Sequence, residues 1–423
     1  GNAAPQVTRT VYVNPAPPVV DNTQTFLETA SSSTSCNVSL ASSGNGGTLE
    51  YNKSTNQVIP TGIWYSTNTV TGLTRGTSYY LWARTAEGFS YTDRTDSDLT
   101  VPYLDPDKSI TAIASPNLDY GSTTHDVTIA GGNAVDQYYV YNNAGSVSYG
   151  GRTGNGTITI THGVAAGGAA TFRVYARKPI DVGGNNSFAN NDTGTTFEIE
   201  VYPNFPTLSV SNDNPSSASV TATLSATGGE GGTIEYAKTS YSSTTTYAQN
   251  RGTSVTYYAR SVGANGLISL VSTVSHPVGY IAPDATITAI ASQNKPYLST
   301  TTIFNISGSN NTADQYYVYN NAGSVSYGGE TGNGDITFTH GVAAGGSGTF
   351  RVYARRPLAV GGDNLFDSTN VSGVVVKVYP QTPTASVGFN NPNDNDVTAT
   401  VTASNTTGSN SLAYSNGGTY VAG

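Results

Sequence analysis

The sequence predicts an all-β chain, an elongated tandem array of antiparallel β-sandwich domains of two alternating types. Three observations carry that expectation: the composition, a long internal repeat, and proline-rich joints at domain spacing. Only 11% of the 423 residues are charged, while the chain holds 48 Gly and 29 Tyr among abundant Ser, Thr and Asn. Short apolar–polar alternations separated by Gly/Asn/Ser clusters are the pattern of many strands joined by turns.

The repeat fixes the unit. Asp136–Arg177 recurs without a gap at Asp314–Arg355, with five differences in 42 positions, so the period is about 178 residues. That is too long for one sandwich and fits two. A weaker landmark halves it: an aromatic or Val, two residues on, precedes an aromatic-Ala-Arg triplet at Tyr79–Arg84, Phe172–Arg177, Val255–Arg260 and Phe350–Arg355. The four Ala residues, at 83, 176, 259 and 354, lie 93, 83 and 95 residues apart. Strands ending in Tyr51, Tyr236 and Tyr414 precede the triplet or its expected place. Val-Tyr pairs at 11–12, 201–202 and 378–379 lead into prolines that interrupt strand ladders.

These landmarks assign 1–14 to the last strand of a preceding sandwich, 15–104 to type A, 105–203 to type B, 204–282 to type A, 283–381 to type B, and 382–423 to an incomplete type A. Val7–Val13 and the segment after Thr382 are then expected to be parts of domains. The expectation is a window on a longer repeat protein, with continuation of the chain favoured over strand donation by a neighbour.

Composition also excludes. A net charge of −9 without a basic cluster argues against a nucleic-acid partner. No apolar run approaches the roughly 20 residues of a bilayer-spanning helix. HExxH, GxSxG, P-loop and CxxC patterns are missing, so an enzyme is not expected. Cys36, the single cysteine, falls where the other type A segments carry Val220 and Val397, and reads as a small buried hydrophobe, an intermolecular disulfide being the alternative. His162 and His340 are one position repeated, each before Gly-Val-Ala-Ala-Gly-Gly, and read as solvated turn residues.

Two sets of candidate site residues remain. Asp105 and Asp107, at an A-to-B junction, and Asp394 and Asp396, in the last segment, form oxygen-rich loops that could hold Ca²⁺; Asx-turns account for them equally well. No other cofactor is expected. Tyr138, Tyr139 and Tyr141, with Tyr316, Tyr317 and Tyr319 in the second copy, lie along one strand, where neighbours face opposite ways. At least one per copy must face outward, as a surface contact or as a shield over the sheet.

Leu73–Arg84 (LTRGTSYYLWAR) resembles the fibronectin type III segment leading into strand F, with Tyr79 at the tyrosine-corner position, Leu73 before the turn and Gly76-Thr77 in it. Arg251–Arg260 keeps Gly252-Thr253 but places Val255 at the corner. The resemblance implies immunoglobulin/fibronectin III-like domains, as in bacteriophage fibres and virion appendages and in bacterial surface adhesins. It further implies an extracellular, non-enzymatic role in reach and display, with partners among other copies, virion or surface proteins, or a host glycan or receptor.

Overall fold

The computed structural model describes residues 9, 16–27, 33–45, 47–86, 97–390, 396–404, 411–415, 417–418 and 421–422. The expected strand Val7–Val13, Arg9 apart, and Asp394 lie outside them. Among the described residues there is no α-helix, only the 3-10 turns Ile180–Val182 and Leu358–Val360. The chain folds as two compact units: Gly1–Phe205 with Gly229–Thr233 and Ser261–Leu270, and Pro206–Gly228 with Ile234–Arg260 and Val271–Gly423.

In the first unit, the type A sandwich pairs Ala16–Leu27, Ser35–Asn45 and Thr69–Thr74 in one sheet and Leu49–Ser54, Ser78–Thr85 and Ser97–Thr100 in the other. Period-2 alternation along Ser35–Asn45 turns Cys36, Val38 and Leu40 inward, and all three are buried. They meet Leu73, Tyr79, Leu81 and Ala83 in one cluster, so Cys36 packs as a core side chain. The Tyr79 hydroxyl accepts the N–H of Thr74 at 3.1 Å, which closes the tyrosine corner.

Type B is built differently. Its larger sheet runs Ser148–Thr153, Gln137–Asn142, Ala169–Arg177, Asp192–Val201 and Asn117–Leu118, the last pairing parallel; Thr124–Ile129 and Gly156–Thr161 form the smaller sheet. Val127, Ile129, Tyr138, Val140, Ile160, Phe172 and Val174 fill the space between them. Each fully buried aliphatic side chain contributes about 1.5–3 kcal/mol, so this cluster is what makes the seven short strands one domain. The loop Gly163–Gly168 lies on backbone: a Cβ on Gly167 (φ 65°) would collide with the carbonyl of Gly231, also in this unit.

Both sheet orders recur along the chain from Pro206 onward. Pro206–Asn212, Ser219–Gly228 and Thr246–Asn250 form one sheet of a type A sandwich, and Gly232–Ala237, Thr253–Gly263 and Ser272–Val278 the other. Type B recurs as a five-stranded sheet ordered Gln293–Lys295, Phe366–Val378, Ser347–Arg355, Gln315–Asn320, Ser326–Thr331, opposite Thr301–Ile306 and Gly334–Thr339. With Val255 at the corner position, this type A sandwich uses Tyr257 instead: buried, it donates to Gln249 Oε1 at 3.0 Å, and Gln249 Nε2 caps the carbonyls of Thr253 and His276. Beyond it, Thr384–Phe389 pairs with Ala399–Ser404, and Ala413–Tyr414 with Val421–Ala422. The chain is therefore an all-β tandem array of immunoglobulin/fibronectin III-like antiparallel sandwiches of two alternating types.

Candidate functional site

The residues singled out at the A-to-B junction turn out to be held by their backbone. Asp107 donates its N–H to Asp136 Oδ2 at 2.7 Å, and its carbonyl accepts the Tyr138 hydroxyl at 3.0 Å. In the second unit Asp284 repeats both contacts, its N–H to Asp314 Oδ2 and its carbonyl to the Tyr316 hydroxyl, each at 2.7 Å. The linker peptide is thus gripped at both its N–H and its C=O by one strand start, so both groups have a protein partner. Burial pushes both phenols up from the ordinary tyrosine range.

Asp136 and Asp314 are fully buried and each carries a cation. Lys178 Nζ lies 2.8 Å from Asp136 Oδ1, whereas Arg356 forks onto Asp314, Nε to Oδ1 at 2.7 Å and Nη2 to Oδ2 at 3.1 Å. Strand register brings them together: Gln137 faces Arg177 and Gln315 faces Arg355, so the acid one residue before meets the base one residue after. Each cation then leads through Pro179 or Pro357 into the 3-10 turn and a glycine at φ 89°, Gly183 or Gly361. Gly183 O accepts Leu104 N–H and Gly361 O accepts Ile281 N–H, both at 2.8 Å. A Cβ on either glycine would strike the type A domain, at Ser33, Leu104 and Arg75 or at Ile281, Arg251 and Ser217. A buried arginine of type A completes each joint, Arg75 Nη1 on Pro102 O and Arg251 Nη1 on Gly279 O, each at 3.1 Å.

This geometry reassigns part of the candidate list. Tyr138 and Tyr316 are fully buried, with their hydroxyls on the linker, and so leave the surface set. Asp107 and Asp284 turn their carboxylates on nearby amides, Ser109 N–H and Thr286 N–H at 2.9 Å, as Asx-turns do. Asp284 sits below the usual carboxylate range because the Thr286 hydroxyl, then the amides of Asn310 and Thr286, donate to it. Asp105 and Asp396 are exposed, and among the described residues no three His, Cys, Asp or Glu side chains converge. Nor are His162 and His340 solvated: both are buried, a correction to the turn reading, because their Nδ1 accepts the N–H of Val164 or Val342 at 3.0 Å and folds the ring over the turn.

Tyr139, Tyr141, Tyr317 and Tyr319 are half-buried on the outer face of the larger sheet. Tyr139 packs edge-on against Phe188 at 4.9 Å, and Tyr317 against Phe366 at 5.1 Å. The triplet arginine covers them, Arg177 over Tyr139 at 5.3 Å and Arg355 over Tyr317 at 5.0 Å, its Nε donating to Gln137 or Gln315. The type A triplets do likewise: Arg84 pairs with Glu50 and lies over Trp64, and Arg260 pairs with Glu235 and lies over Tyr241. An arginine laid on an aromatic ring thus recurs on the outer face of four sandwiches.

Sequence reasoning missed Asp136, Lys178, Gly183, Phe188 and their counterparts. The signal was present: Pro-Asp, Asp-Gln-Tyr and a base after the triplet recur together in both repeats.

No protein-family model and no curated protein matches the chain. Solved structures similar to it include Sidekick-1 immunoglobulin domains 1–5 (12% identity, TM-score 0.28, covering 83% of this chain and 78% of that one). Others are the FN1–FN3 domains of chicken CNTN1 (11%, 0.21, 63% and 99%) and fibronectin(III)-like modules of Clostridium thermocellum CbhA (16%, 0.21, 40% and 93%). Likenesses this remote carry no functional argument, and the fold rests on the strand pairings above.

Proposed function

We propose that this chain is a non-enzymatic structural segment of an extracellular fibre or appendage, a bacteriophage virion fibre or decoration that extends and displays a host-binding end. The observation that carries the reading is how the ionisable residues are used. In both repeats the buried acids and bases join one sandwich to the next. Reach built from near-identical modules needs reproducible joints more than it needs chemistry. No helix among the described residues is long and apolar enough to cross a membrane. Immunogold labelling with antibody to the chain should decorate virion appendages; labelling confined to cell surfaces would overturn the virion assignment.

The repeated arginine-on-aromatic faces favour a second reading, a bacterial surface adhesin or filament that binds glycans weakly and many times over. On a glycan array the full chain should then bind, and Tyr139→Ala with Tyr317→Ala should lower that signal. Loss of nothing but background would remove this reading and leave the first standing.

A further inference from the structure

We infer that the A-to-B joint is a preset elbow, latched by the buried carboxylate and the phenol at the start of strand Gln137–Asn142 and of its counterpart Gln315–Asn320, and that it can be unlatched without unfolding either sandwich. The latch acts on the backbone of one linker residue. Asp136 and Tyr138 hold the N–H and C=O of Asp107, and Asp314 and Tyr316 hold those of Asp284. The side chain at the preceding-but-one position differs between repeats, Asp105 against Ala282, yet the grip is the same. A linker whose course depended on its own side chains would not tolerate that change.

A second contact fixes the angle. The glycine after each 3-10 turn returns a carbonyl to Leu104 or Ile281, three residues before the gripped aspartate, in a space that a Cβ would close. Two attachments on opposite flanks of the Pro-Asp step stop the linker from swivelling about either one. The other polar contacts of these phenols are local to the type B loop before the strand, the Tyr138 hydroxyl accepting the Asn133 N–H at 2.8 Å and the Tyr316 hydroxyl meeting that of Ser309. Asp136 and Lys178 lie at the ends of strands Gln137–Asn142 and Ala169–Arg177, and only the ring of Tyr138, not its hydroxyl, belongs to the apolar cluster.

Spin labels placed in the full chain on exposed strand positions of the two sandwiches test this. Suitable sites are Thr71→Cys and Thr157→Cys, both exposed, in a Cys36→Val background, where valine is the residue that the other type A sandwich carries at position 220. The native pair should give one narrow distance distribution. Tyr138→Phe, or Asp136→Leu with Lys178→Met, should broaden it at least about twofold while the thermal midpoint stays near that of the labelled parent. An unchanged width in variants that fold, or a broad distribution in the parent, overturns the proposal. If the variants fail to fold, amide exchange in the unaltered protein decides: the amides of Asp107 and Asp284 should exchange at least about 100-fold slower than free peptide, and exchange at the free-peptide rate overturns the latch.

Discussion

The two type B sandwiches share a fold and a joint but not a core, and the difference separates what must be conserved by chemistry from what is satisfied by volume. In the first, Phe172 stacks on Phe197 at 5.5 Å, and Val127 and Ile160 fill the smaller sheet. In the second, Val374 stands at the position of Phe197, while Phe304 and Phe338 replace Val127 and Ile160 and pack edge-on at 5.0 Å. One ring has left the larger sheet and two have entered the smaller, while Ile199 gives way to Val376, a redistribution of volume of the kind that cores tolerate. The joint admits no such shuffle. Its acid, phenol and glycine are identical in both copies, while the base changes from the single contact of Lys178 to the fork of Arg356, and Leu104 and Asp105 of the linker become Ile281 and Ala282.

The sharpest way to break the comparison is to remove the acid. Asp314→Ala strands Arg356, a buried cation, and should cost about 3–5 kcal/mol in chemical denaturation. Asp136→Ala should cost less, because the longer-stemmed ammonium of Lys178 can swing towards water while the planar guanidinium is pinned at two atoms. Equal losses would show that the fork adds nothing.

Core exchange gives the next effect. Ile160→Phe in the first copy adds a ring where Phe197 already occupies the space, and should destabilise by about 1–3 kcal/mol. Adding Phe197→Val, which copies the second sandwich at that position too, should recover most of that loss. A double mutant no better than the single one would mean that the two cores are not related by this exchange.

Type A provides a smaller contrast. Tyr79→Phe removes one hydrogen bond to the Thr74 amide and should cost about 1 kcal/mol. Tyr257→Phe leaves Gln249 Oε1 buried without its donor and should cost about 1–3 kcal/mol. Thermal denaturation of the two variants ranks them, and a larger loss at Tyr79 would contradict the reading that Gln249 carries the corner in the second sandwich.

The tandem β-sandwiches, the alternation of types and the Tyr79 corner were legible because they are periodic or local: an inward side chain every second residue, a turn glycine at a fixed offset from a tyrosine. The joint was only half legible. Asp107 and Tyr138 were both singled out, the first for its carboxylate and the second for its exposed neighbours, whereas what matters at Asp107 is a peptide group, which every residue possesses. Asp136 meets Lys178 only because two strands 40 residues apart pair in register, and no local pattern announces that. His162 was misread for a related reason: a glycine-rich loop looks solvated until it is laid against backbone.

That histidine gives the last and smallest contrast. Burial lowers the pKa of His162 and of His340, the nearby His125 lowering the first further and Lys295 the second. Each Nδ1 accepts an amide proton, and each Nε2 is buried with no hydrogen-bond partner among the described residues, so the neutral ring is the one that fits. The folded pKa thus lies below the unfolded value of about 6.5. Stability is whole above that value and falls as pH drops through it towards the folded pKa, since the unfolded chain takes up the proton first. The first copy should be the more acid-sensitive, because His125, also lowered chiefly by burial, faces Ile160 where the second copy has Thr302 opposite Phe338. Unfolding midpoints between about pH 7.5 and 5 should therefore fall less steeply in His125→Thr and in His162→Asn, whose amide oxygen can still accept the Val164 N–H. A slope unchanged by either substitution would place the acid sensitivity in the carboxylates and not in these rings.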